Sequence, residues 1–163
     1  MNKYDVLSIV FYPQVVTFIA FLSVILYLHL SLFSLIVIAF FYSIIPSLII
    51  YVMFKLGLVT DIHVSKREQR VVPIILSIIS FVIGLLLVRD SFLSTVLLFY
   101  TINTTLILLI SLKFKISVHV STTVGAITFL FFVFGFFSLP LYSLGVLISF
   151  VRYKMKAHTL CQV

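Results

Sequence analysis

The sequence predicts an all-α protein, a polytopic transmembrane bundle of about six helical spans, and three observations predict it. Of its 163 residues, 63% are hydrophobic and 9% charged, where a soluble domain carries about 25% charge. The mean hydropathy is +1.36. The charged residues gather in short clusters between apolar runs, and a run of about 20 apolar residues suffices to cross a bilayer. Lipid offers the backbone no hydrogen bonds, so each run must satisfy its own N–H and C=O groups as helix. The length fits one domain over residues 1–163.

Met1–Asp5 is a short polar start. Residues 6–54 then contain no Asp, Glu, Lys or Arg. This is too long for one span, and the weak point is His29-Leu30-Ser31, which predicts helices over 6–28 and 32–54. The first is much longer than the apolar core of a cleaved signal peptide. Pro13 and Pro46 fall inside these helices and predict kinks. Asp61–Pro73 is the first polar cluster. It leads into a span over 72–88, with Pro73 in the first turn, where a missing N–H does no harm. Arg89-Asp90 is a turn. The span over 91–112 holds Thr101, Asn103, Thr104 and Thr105, read as interhelical hydrogen-bonding groups. Lys113–His119 is the second cluster; Ser117 is placed to cap a helix over 116–136, with His119 in its first turn. A break at Phe137–Pro140 and a short span over 140–153 follow. The third cluster, Arg152 to His158, predicts that Arg152 ends one helix and His158 begins another after a tight turn.

Counting spans puts all three clusters on one membrane face. Two spans separate each from the next. Ten of the eleven Lys and Arg fall on that face, Arg89 being the exception. The positive-inside rule therefore predicts a cytoplasmic cluster face in a multi-pass protein of the cell membrane. The net charge of +7 would suggest nucleic acid in a soluble protein. Here the basic residues flank apolar runs, so the expected partners are membrane lipids and no nucleic acid. Cys161 is the lone cysteine, which excludes an intrachain disulfide. Oligomeric state is left open.

Arginine grips phosphate oxygens as a planar fork, lysine acts as a point charge, and histidine exchanges protons or attacks near neutral pH. Lys66, Arg70, His119, Arg152 and His158 on one face therefore suit a lipid phosphate ester. Neither rival chemistry finds its ligands. No two of His29, His63, His119 and His158 share a span for bis-histidine haem, and Asp5, Asp61 and Asp90 form no pair for magnesium.

The clusters resemble, in order, the three motifs of the type 2 phosphatidic acid phosphatase superfamily. That family shows Lys, six residues and Arg-Pro; then Pro-Ser-Gly-His; then Ser-Arg, five residues, His, three residues and Asp. This chain has Lys66, three residues, Arg70 and then Pro73; Ile116-Ser117-Val118-His119; and Arg152, five residues, His158. Lys115-Ile116-Ser117-Val118-His119 and His158-Thr159-Leu160-Cys161-Gln162 are most similar to short microbial members. The resemblance covers residues 61–163. It implies a further helix beginning near the last residues, which the sequence given does not contain. It also implies hydrolysis of a lipid phosphate or diphosphate, phosphatidate-like or polyprenyl diphosphate-like, without metal or cofactor. His158 would be the nucleophile and His119 the proton donor to the leaving group. Lys66, Arg70, Arg152 and the backbone of Ser117 would hold phosphoryl oxygens, and Gln162, standing where the family has Asp, would orient His158. The alternative is a catalytically inactive relative acting as a lipid-binding or structural subunit.

Overall fold

Pro13 divides the first predicted span in two. The structure, a computed structural model, describes residues 3–163, and of Lys3 and Asp5 the backbone alone; Met1 and Asn2, part of the expected polar start, lie outside the described residues. Helix α1 runs Lys3–Val10 and α2 Pro13–Tyr27. Tyr12 between them is extended, at φ −63° and ψ 133°, because the proline ring bars the residue before it from helical geometry. The kink expected at Pro13 is thus a break.

Pro46 acts differently. Leu32–Ile38 (α3) and Ile45–Lys55 (α4) are joined without a break by one wide π-turn, Ala39–Ile44. In that turn Ile45 N–H bonds to the Phe40 carbonyl. The Phe41 carbonyl then loses both helical donors: Ile45 N–H is taken, and the next residue, Pro46, has none. Ser80 Oγ fills the gap from a neighbouring helix, 2.7 Å away.

The remaining helices are α5 (Val71–Leu87), preceded by a 3₁₀ turn at Arg67–Arg70; α6 (Ser91–Ser111); α7 (Val118–Phe134); and α8 (Tyr142–Lys154). A 3₁₀ turn at Gly135–Leu141 links α7 to α8. All the elements of the described residues are helical, as the sequence predicts.

Span count is where expectation and structure part. Among the described residues, four helical stretches are long and apolar enough to cross a membrane: Leu32–Lys55, Arg67–Leu87, Ser91–Ser111 and the folded-back stretch Val118–Lys154. Helix α2 is apolar but has 15 residues, about 22 Å at 1.5 Å per residue. The protein is a multi-pass membrane protein of about four to five spans rather than six.

The chain forms two compact units. One comprises residues 1–30 and 116–163. In it α2 packs on α7, α7 on α8, and α8 on α1. The buried residues of α2 are Thr17, Ala20, Phe21, Val24 and Ile25; those of α7 are His119, Thr122, Thr123, Ala126 and Ile127. Both follow the helical repeat of three and four, so each helix turns one stripe inward. Phe21 and Phe129 join the stripes, ring centres 5.2 Å apart.

The other unit is residues 31–115. There α5 packs on α4, α6 and the π-turn. Tyr42 stacks on Phe81, centroids 4.7 Å apart, and its hydroxyl donates to the Phe81 carbonyl at 2.8 Å. Gly84 allows the approach: a Cβ there would lie 2.7 Å from Phe41 Cβ.

A buried histidine and arginine cluster as candidate functional site

The antiparallel pairing of α7 and α8 positions the site. Thr128 Oγ1 meets the Tyr142 hydroxyl at 3.0 Å. A Cβ on Gly145 would sit 3.0 Å from Val124. Carrying this pairing onward brings Arg152 level with the first turn of α7, where His119 lies.

Arg152 falls on the buried stripe of α8, after Gly145 and Ile148. It is 1% exposed, the bulkiest of the fully buried side chains among the described residues. A buried guanidinium is costly unless hydrogen-bonded. Its Nη1 donates to Ser8 Oγ of α1 at 2.9 Å, a bond that anchors the group while leaving its charge intact.

Beyond Lys154 the chain turns sharply. Lys156 N–H bonds to the Tyr153 carbonyl and Ala157 N–H to the Arg152 carbonyl, the paired bonds of a Schellman cap. Lys156 takes the left-handed conformation at φ 55°, a place glycine usually fills. The turn delivers His158, which is buried. His158 does not begin a helix, contrary to expectation. It precedes a single 3₁₀ turn, Leu160–Gln162, capped by Thr159.

This turn is tied to the start of α7. Ser117 N–H donates to the Gln162 carbonyl at 2.8 Å. The second and third motifs are therefore joined directly. Ser117, His119, Arg152 and His158 are all buried in this unit. The Tyr12 ring meets His119 edge-on, centroids 5.9 Å apart.

Two details differ from the roles the resemblance implies. The Ser117 N–H, expected to hold a phosphoryl oxygen, is spent on Gln162, while its hydroxyl caps α7 at Val120 N–H. Gln162, expected to orient His158, accepts from Thr159 N–H through Oε1 at 3.2 Å. The capping pattern of Thr and Gln three apart was in the sequence and could have given this away.

Lys66 and Arg70 belong to the other unit. Lys66 is exposed; Arg70 is buried, and its Nε donates to the Val64 carbonyl at 2.8 Å. The loop between them and α4 is organised by Asp61, whose carboxylate accepts from His63 N–H, Ser65 N–H and the Ser65 hydroxyl. Arg67 Nη1 donates to the Lys113 carbonyl at 2.8 Å, a bond within the same unit that links the first polar cluster to the start of the second.

Sequence reasoning overlooked Ser8 and Tyr12. Each lies in an apolar run far from every motif, and nothing local marks them. Compared with known proteins, the chain matches no protein-family model, no curated protein and no solved structure.

Proposed function

We propose that this multi-pass membrane protein hydrolyses a lipid phosphate or diphosphate through a phosphohistidine on His158. The observation that carries the proposal is the Ser117–Gln162 bond, which ties the segment bearing His158 to the helix start bearing His119. Buried Arg152 belongs to the same end of that unit.

The chemistry is a two-step displacement. A ring nitrogen of His158 attacks phosphorus as the bond from phosphorus to the leaving oxygen breaks. His119, as imidazolium, gives that oxygen its proton. Water then attacks the phosphohistidine, His119 takes the water's proton, and inorganic phosphate leaves. The Arg152 fork would stabilise the charge on the equatorial oxygens. The clustering of Lys and Arg expected on that face supports a cytoplasmic site end, in which case an impermeant thiol reagent should leave exposed Cys161 unlabelled in intact cells.

The test of activity is phosphate release by purified protein from phosphatidate and from a polyprenyl diphosphate. Release by the native protein, lost in His158→Ala, supports the proposal; equal release by both refutes it. A second reading, a non-catalytic lipid-binding relative, is favoured by Gln162, whose carbonyl oxygen is committed to Thr159. It predicts binding to acidic vesicles without phosphate release.

A further inference from the structure

Helix α6 carries four polar residues in the middle of its span, and the structure treats one of them differently. Thr101, Thr104 and Thr105 turn back on their own helix. Their hydroxyls donate to the Leu97, Tyr100 and Thr101 carbonyls at 2.8, 3.0 and 2.9 Å. Asn103 lies among them, yet its side chain is exposed, and no hydrogen bond joins its amide to any other described residue.

The depth of Asn103 makes this costly. Helix α6 has 21 residues, Ser91–Ser111, about 32 Å at 1.5 Å per residue, which matches a hydrocarbon core of about 30 Å. Asn103 sits two residues from its midpoint, about 3 Å along the axis. A short amide there cannot reach the head groups, and acyl chains offer it neither donor nor acceptor. Its partner must be another protein group.

The face around Asn103 says which. Phe92, Val96, Phe99, Asn103, Leu106 and Ile110 follow one another at steps of four and three residues, the seam of a coiled coil. All but half-buried Val96 are exposed. Val96, Asn103 and Ile110 fall at the a positions, and Phe92, Phe99 and Leu106 at the d positions. β-Branched residues at a favour two parallel strands, and one Asn at a fixes their register. Two copies of this chain inserted the same way present their α6 helices parallel, about a two-fold axis along the membrane normal. The amide is complementary to itself, its N–H groups positive and its oxygen negative, so Asn103 of one copy donates to Asn103 of the other.

We propose that this face of α6 binds a second copy of the chain, with Asn103 paired across the two-fold axis at mid-membrane. The inference does not depend on the phosphatase reading, since every residue it uses belongs to α6.

The test uses the full chain in vesicles of phosphatidylcholine and phosphatidylglycerol. Exposed Cys161 is labelled with a donor or an acceptor dye, and energy transfer is followed as lipid dilutes the protein. Transfer should fall by mass action, giving a dissociation constant. Asn103→Val should raise that constant by roughly fivefold to thirtyfold, the range for interhelical hydrogen bonds in bilayers. Asn103→Gln, which keeps a donor and an acceptor, should retain most of the association. In a Cys161→Ser background, Phe99→Cys and separately Leu106→Cys should form disulfide dimers on oxidation. Leu98→Cys should not. Leu98 is 45% exposed but lies about 140° round the helix from Asn103, at 100° per residue. Protein that is monomeric at every lipid ratio, or an Asn103→Val variant that associates as tightly as the native chain, would overturn the proposal. Cross-linking at position 98 as complete as at 99 and 106 would mean random collision and overturn it too. A monomer whose unfolding midpoint drops in Asn103→Val would mean that the amide finds its partner within the chain, and would overturn it equally.

Discussion

Arg152 Nη1 donates to Ser8 Oγ across 2.9 Å, joining two buried side chains 144 positions apart in the chain. Hydrogen bonds to charged groups contribute about 1.5–3 kcal/mol. Ser8→Ala should therefore lower stability in detergent by about that much, read from thermal or denaturant unfolding. It should also reduce kcat/KM for phosphate release by roughly tenfold, because the guanidinium is less firmly positioned on the phosphoryl group. Unchanged stability and turnover would show that the bond matters to neither.

Lys156 closes the cap that delivers His158, in a backbone conformation costly for any residue with a Cβ. Lys156→Gly should raise the free energy of unfolding by about 1 kcal/mol, offset in part by the greater freedom of glycine in the unfolded chain. Lys156→Val, β-branched and poorly suited to positive φ, should lower it. If the two variants shift in the opposite order, the cap is not as described.

Ser80 and Pro46 should prove energetically coupled. Ser80→Ala leaves the Phe41 carbonyl without the hydroxyl donor and should cost about 1–3 kcal/mol. In a Pro46→Ala background the helix regains an N–H at residue 46, and the same change should cost distinctly less. A double-mutant cycle showing plain additivity would contradict this. Gly84→Ala should be worse than either single change, since its Cβ would clash with the Phe41 backbone-linked carbon rather than with a flexible side-chain end.

The helical class was readable because lipid leaves an apolar run one way to satisfy its backbone. What each proline does was not. Pro13 and Pro46 look alike in an apolar run, yet one breaks the chain's helix and the other is absorbed by a π-turn. The difference lies in Ser80, 39 residues from the carbonyl it serves. Helix ends at Ser117 and near Arg152 were legible because cap residues act over a few positions. The Arg152–Ser8 and Ser117–Gln162 bonds were not, since no local pattern encodes a pairing across the bundle. The span count failed for a related reason. Each apolar run was counted as one span, whereas α7, the 3₁₀ turn and α8 form one folded-back stretch, Val118–Lys154, and Pro13 leaves α2 only 15 residues.

The central claim is that His158 carries the phosphoryl group. The most direct measurement is acid-sensitive trapping: purified protein is mixed with radiolabelled lipid phosphate, quenched rapidly, and mapped for covalent label. The account predicts label on His158 in a linkage that survives base and is lost in acid, with none in His158→Ala and accumulation in His119→Ala when the leaving group is good enough to depart unaided. Phosphate release at the native rate with no label on His158, or retained by His158→Ala, would contradict it.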